Sequence, residues 1–255
     1  MLDLNAHILP GIHAATPDLA SALAAASDLV ASGVRTAVAP ALVADAPAQD
    51  LDRADTARHA LRDALAAADV PLRLLPGAVV PADVLASLPS DLMARCTAGD
   101  GGRWIVTTLP LAGWPLMIPA LIRGLDMGGM GLVIAHPERS ESVQASPDRL
   151  RDLLGRGALV QLGAGSMRGD HGPRPERTAF DLLRNGMVSV VASDAPSRTG
   201  HALDLDASAD MLERVLRRPR AEVSWMLDAG PERIAAGEPV RTPRLVPLPR
   251  AAAAD

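Results

Sequence analysis

Three short polar clusters, each placed directly after an apolar run, carry the side chains that could do chemistry. Asp3-Leu4-Asn5-Ala6-His7 opens the chain, His136-Pro137-Glu138-Arg139 follows Ile134-Ala135, and Ser193-Asp194 follows Val191-Ala192. Imidazole nitrogen and carboxylate oxygen are standard transition-metal ligands. Residues 3, 5 and 7 of an extended strand project to one side, so Asp3, Asn5 and His7 are expected to face a common point. Arg139 carries a guanidinium fork that can hold a phosphate or carboxylate through two nitrogens. Its competing use is a salt bridge to Glu138, Glu141 or a nearby Asp. Gly163-Ala164-Gly165-Ser166 could cradle an anion on backbone amides, with Ser166 as a ligand-binding hydroxyl, or could be a plain glycine turn.

Apolar runs of strand length recur around these clusters, at residues 1–4, 34–39, 72–75, 104–107, 131–135, 158–162 and 188–192. Helical patterns with three- and four-residue spacing separate most of them, for example Leu116, Ile118, Leu121, Ile122 and Leu125. Gly33, Gly157 and Gly186 stand where helices should end, and Asp18 and Pro147 where helices should begin. Strands alternating with helices predict a parallel α/β fold, closed or nearly closed, with its chemistry at the C-terminal strand ends. His7, His136, Gly163 to Ser166 and Asp194 all fall at such ends. Residues 207–216 and 220–227 read as terminal helices. Residues 1–238 are assigned to one domain, and 239–255, rich in Pro, Arg and Ala, to a flexible tail.

Composition removes several classes of function. The chain has 255 residues, 48% of them apolar, enough for one barrel-sized core. A net charge of −5 leaves no electrostatic footprint for nucleic acid. All 25 basic residues are Arg, so a Schiff-base Lys and a P-loop Lys are both absent. The single Cys96 rules out an internal disulfide. Six residues separate Cys96 from Arg103, one more than the loop of a cysteine-dependent tyrosine phosphatase encloses, and no Gly-x-Ser-x-Gly elbow appears. Residues 104–122 carry no charge, but Pro110, Pro115 and Pro119 break them, which argues against a membrane span. With no signal-peptide pattern, the expectation is a cytoplasmic protein that is not integral to a membrane.

The order and spacing of these clusters over residues 1–238 resemble the PHP (polymerase and histidinol phosphatase) superfamily. The resemblance is closest to the bacterial tyrosine-protein phosphatases that regulate capsule and exopolysaccharide synthesis. It implies a distorted, TIM-like (β/α)7 barrel, a trinuclear metal cluster and hydrolysis of phosphotyrosine by metal-activated water. The departures from the family pattern are specific. Asn5 stands for the first His of Asp-x-His-x-His, and His13-Ala14 for the Asp-Asp that follows Gly-Ile. Ala41-Leu42 replaces the His-His after Thr-Pro. Val79 replaces the bridging Glu, Thr108 aligns with an acidic residue, and Pro196 replaces the His of Ser-Asp-Ala-His.

His7, His136 and Asp194 survive as metal candidates, with Asp3 or Asn5 as possible additions and Arg139 beside them. Three ligands cannot hold three ions, since each ion needs about four. At most one divalent ion (Mn, Fe or Zn) is expected, and a hydrogen-bonded His–Asp network without metal is the equal alternative. The expected function is therefore a phosphatase-like protein of capsule regulation with weak or no activity, binding a phosphorylated protein or small phosphate ligand. Arg139 and Asp194 would be its catalytic remnants. The alternative is a working phosphoesterase with one or two metals.

Overall fold

The computed structural model describes residues 1–195 and 205–240. Its strands are β1 (Leu2–Asp3), β2 (Thr36–Val38), β3 (Ala41–Leu42), β4 (Arg73–Leu75), β5 (Ala78–Pro81), β6 (Trp104–Thr108), β7 (Gly131–Ala135), β8 (Leu159–Gly163) and β9 (Val190–Ala192). The principal helices are α1 (Leu19–Ala31), α2 (Pro47–Ala67), α3 (Ala82–Leu85), α4 (Ser90–Arg95), α5 (Ile118–Met127), α6 (Glu141–Ala145), α7 (Arg149–Gly155), α8 (Ala164–Met167), α9 (Pro173–Arg184), α10 (Leu205–Leu216), α11 (Arg220–Val223) and α12 (Ala229–Ala235). These strands pair with one another in parallel, in the orders β1-β2-β4 and β3-β5-β6-β7-β8-β9, and a single antiparallel bridge joins Thr97 to Ile105 of β6. This is the α/β barrel-like architecture expected from the alternation of strands and helices.

All seven expected strands are present, and two of them are broken. β2 resumes as β3 after Ala39-Pro40, and β4 resumes as β5 after Pro76-Gly77. Each break carries a proline, which cannot donate to a ladder. Pairing nevertheless continues across the breaks through Ala39 N–H to Leu75 O (3.1 Å), Ala41 N–H to Gly77 O (2.9 Å) and Val43 N–H to Val79 O (3.1 Å). Between β1 and β9 no backbone ladder forms among the described residues. The buried Asp3 carboxylate spans that seam, accepting from Ser193 N–H at 3.1 Å and from the Ser193 hydroxyl.

Helix boundaries follow local chemistry. Asp18 caps α1 by accepting from Ser21 N–H at 2.8 Å, while the Ser21 hydroxyl accepts from Asp18 N–H, a reciprocal capping box. Gly33, Gly157 and Gly186 take positive φ just after α1, α7 and α9, as expected of helix ends. Two apolar layers result. Leu29, Leu61, Ile122, Leu150 and Leu182 pack helices onto the outer faces of the strands. Leu2, Leu4, Val38, Leu75, Val106, Val133, Leu159 and Val190 fill the barrel interior.

The N-terminal end of the interior is plugged by Ile234 and Ala235 of α12 together with Val240. Trp104 N–H donates to Glu238 O at 2.8 Å and fixes this segment. Val240 is buried in the core, and residues 241–255, where the sequence suggests a tail, lie outside the described residues. No helix among the described residues is long and apolar enough to cross a membrane.

Candidate functional site

The C-terminal strand ends open onto a cleft of about 370 Å3. His7, His13, His136 and Arg139 line one part of it, and Leu42, Val43, Val79 and Pro81 form an apolar wall. Gly165, Arg168, Asp170 and His171 close a third side, with Thr108, Ser193 and Asp194 completing it. The cleft is thus mostly apolar with a few converging polar groups, as ligand pockets of this size commonly are.

Its centre is the pair His136 and Asp194, the residues that follow β7 and β9. His136 Nε2 lies 3.0 Å from Asp194 Oδ1, and Arg139 donates to Asp194 Oδ2 at 2.8 Å. Asn5 Nδ2 donates to Asp194 Oδ1 at 3.0 Å from beneath and lies 3.3 Å from His136 Nε2. The two side chains meet over β8, which lies between their strands, because β8 ends in Gly163. A Cβ at Gly163 would fall 2.5 Å from Asp194 Oδ2, 3.1 Å from His136 Nδ1 and 3.3 Å from an Arg139 nitrogen.

The electrostatics follow from burial and pairing. Burial would lower the His136 pKa, but the Asp194 charge and hydrogen bond outweigh it and raise it to about 9. Burial would raise Asp194, yet His136 and Arg139 hold its carboxyl below the usual carboxylate range. His7 is pushed down to about 4, chiefly by burial, so its imidazole is neutral. Burial, reinforced by Arg139, also lowers His171. A charged triad of His136, Asp194 and Arg139 is therefore bordered by the neutral imidazole of His7, whose ring stacks on that of His13 at 5.2 Å.

His7, Asn5, His136, Arg139 and Asp194 are brought together as the sequence suggests. Asp3 is not among them. β1 ends at Asp3, so the period-two projection does not continue to residue 7, and the Asp3 carboxylate turns to Ser193 and to Asn5 N–H (3.2 Å). Burial, offset only in part by those bonds, raises its pKa. Ser166 is fully buried and donates to Glu138 Oε1 at 2.6 Å instead of facing the cleft. Arg139 pairs with Asp194 and with neither nearby Glu. At the second strand it is Leu42 that faces the cleft, while Ala41 packs in the outer core. Pro196 lies outside the described residues.

Arg168, Asp170 and His171 were not singled out from the sequence. They follow α8 in a turn in which Asp170 Oδ2 accepts from Arg168 at 3.1 Å. The available signal was the run Arg168-Gly169-Asp170-His171-Gly172, three polar residues interleaved with two glycines a short turn beyond a strand end.

A family pattern described as capsular polysaccharide synthesis, CpsB/CapC, matches residues 1–229. The chain belongs to the CpsB/CapC family. It is 29% identical over 201 residues to tyrosine-protein phosphatase YwqE of Bacillus subtilis (strain 168), covering 76% of this chain and 77% of that one. It also superposes with a TM-score of 0.78 and 26% identity on a structure from work on Bacillus subtilis YwqE and Streptococcus pneumoniae CpsB, described as unique metal-dependent tyrosine phosphatases; the match covers 93% of this chain and 95% of that chain. An organophosphorus hydrolase from Deinococcus radiodurans shares only the fold, with a TM-score of 0.54 and 15% identity.

Among the described residues of this CpsB/CapC chain, the cleft side chains do not by themselves make up the ligand set of a multinuclear metal cluster. Among the described residues, no group of three or more His, Cys, Asp and Glu side chains is arranged to hold an ion. Both Asp194 oxygens are engaged by protein donors, and the cleft wall at Leu42 and Val79 offers no donor atom. An ion needs about four ligands, and a cluster needs carboxylates that bridge. The guanidinium of Arg139 and the imidazolium of His136 supply the positive charge that Asp194 requires.

Proposed function

We propose that this CpsB/CapC protein binds phosphate monoesters through Arg139 in a cleft without multinuclear metal chemistry, and that its phosphatase activity is weak or absent. Its role in capsule or exopolysaccharide regulation is then to hold a phosphorylated protein or small phosphate ligand in the cytoplasm. The observation that carries this reading is the saturation of Asp194 by Asn5, His136 and Arg139, opposite the aliphatic Val79. Arg139 touches Asp194 through one nitrogen and lines the cleft, so its guanidinium has further donors for a phosphate. In this arrangement Arg139 binds the phosphate oxygens, Asp194 orients Arg139, and the wall of Leu42, Val43, Val79 and Pro81 receives the apolar part of the ester.

One observation favours a second reading, a phosphoesterase with one or two metals. His7 Nδ1 is buried and unpartnered on a neutral imidazole, the state in which histidine binds a cation. Elemental analysis of protein purified without chelator, paired with p-nitrophenyl phosphate hydrolysis with and without EDTA, separates the two. At most one ion per chain and weak turnover are expected. Two or three stoichiometric ions with strong, EDTA-sensitive turnover would transfer the assignment to the second reading.

A further inference from the structure

Arg168 is a second guanidinium on the same cleft, hung from the strand next to the one that carries Arg139. Arg139 follows β7, Arg168 ends the short helix that follows β8, and β7 and β8 are hydrogen-bonded neighbours. The two positions can be located against one short segment of chain. An Arg139 nitrogen lies 3.3 Å from the place a Gly163 Cβ would take, and Asp170 Oδ2, which Arg168 holds, lies 3.0 Å from that of Gly165. Two residues along a chain are at most about 7 Å apart. Both arginines line the same cleft, close to one short turn of chain.

The two arginines are tethered in the same way. Each donates a single nitrogen to one aspartate, Arg139 to Asp194 at 2.8 Å and Arg168 to Asp170 at 3.1 Å. Each has an Nε that is buried and without a partner. A guanidinium fork binds a carboxylate or phosphate best through two parallel N–H donors, so a one-nitrogen contact leaves much of its capacity unused. Asp170 and Asp194 hold the forks in place and offset their charge. His171, exposed beside Arg168 and Asp170, adds a ring edge to the same side of the cleft.

We propose that the Arg168–Asp170–His171 turn is a second anion-recognition point, so that the cleft selects phosphate esters carrying a further anionic group on the same molecule. Arg139 takes the phosphate and Arg168 the second group. This rests on the phosphate-binding reading of Arg139 and adds what else the ligand must carry. The same chemistry could reach the cleft on a phosphopeptide with an acidic neighbour or on a small carboxylated phosphate ester.

The test is calorimetric titration in EDTA with phenyl phosphate and 4-carboxyphenyl phosphate, repeated with phosphotyrosine peptides carrying Glu or Gln next to the phosphorylated residue. The second anion should tighten binding about tenfold, as one charge-assisted contact does. Arg168→Met should abolish that gain while phenyl phosphate still binds, which also shows that the variant is folded. Arg168→Lys should retain part of the gain. Loss of the gain in the peptide pair assigns a protein ligand, and loss in the small-molecule pair alone assigns a metabolite. Phenyl phosphate binding with no gain in either pair, or a gain that survives Arg168→Met, would overturn the second anion point alone. Failure of every probe to bind would overturn the phosphate-binding reading with it.

Discussion

His136 and Asp194 meet at 3.0 Å across a strand to which neither belongs, and both do so from left-handed backbone, at φ 52° and 57°. Left-handed residues other than glycine are uncommon, and His and Asp are among the types that tolerate the conformation. Each turn directs its side chain over the end of β8, where Gly163 leaves the space empty. The pair therefore depends on three residues from three consecutive strands.

Gly163→Ala should disrupt the pair although it removes no polar atom. The added methyl would fall 2.5 Å from Asp194 Oδ2 and 3.1 Å from His136 Nδ1. Overpacking of this kind costs about 1–3 kcal/mol. Urea denaturation should show the loss, accompanied by weakened phenyl phosphate binding. Unchanged stability and binding would mean that the ion pair does not occupy the space above Gly163.

The same pair sets a pH window for stability. The His136 pKa is raised from 6.5 to about 9, so its contribution is complete below pH 6.5 and is lost as pH rises through 9. The Asp194 pKa is lowered from 3.8, so its contribution is present above pH 3.8 and is lost as pH falls toward the folded value. Stability in EDTA should decline on the alkaline side by a few kcal/mol, on the order of 3. His136→Gln should flatten that limb; an alkaline limb identical in wild type and variant would count against the charged pair.

Adding donor side chains at the strand ends should add metal. Asn5→His, Leu42→His and Val79→Glu together place two imidazoles and a carboxylate where amide and aliphatic groups now border His7, His136 and Asp194. Inductively coupled plasma mass spectrometry should find more metal per folded chain than in the wild type. A folded triple variant with no added metal would show that these strand ends no longer hold the geometry of their metal-dependent relatives.

Cys96 should be chemically quiet. It is fully buried after α4, and burial pushes its thiol up to about 11. Reaction with Ellman's reagent at neutral pH should wait on unfolding, because the thiolate is the reactive form. Cys96→Ser should leave any hydrolysis unchanged. Fast labelling of native protein would reopen a thiol mechanism.

The strands were legible because each is an apolar run ending in polar residues, and the helix ends because Asp18, Gly33, Gly157 and Gly186 obey local rules. The breaks at Pro40 and Pro76 were not read, since a proline within an apolar stretch does not reveal that the strand resumes beyond it. Asp3 was misplaced for a related reason. Period-two projection holds only while the backbone stays in a ladder, and β1 stops at Asp3. Arg168 and His171 were missed because a turn has no periodicity from which a facing direction can be inferred. Their approach to Arg139 is a property of the pairing of β7 with β8.

The plug formed by Ile234, Ala235 and Val240 has a consequence for the order in which the molecule can be built. A nascent chain that has delivered β1 to β9 has every strand but still lacks the side chains that dry the N-terminal end of the interior. Trp104 waits for Glu238, 134 positions later, and Asp3 waits for Ser193, 190 positions later. Contacts over such separations form late, because loop closure precedes their reward. During synthesis the half-made barrel carries a wet, apolar bore, so its passage from the ribosome is the stage at which it is most exposed to aggregation.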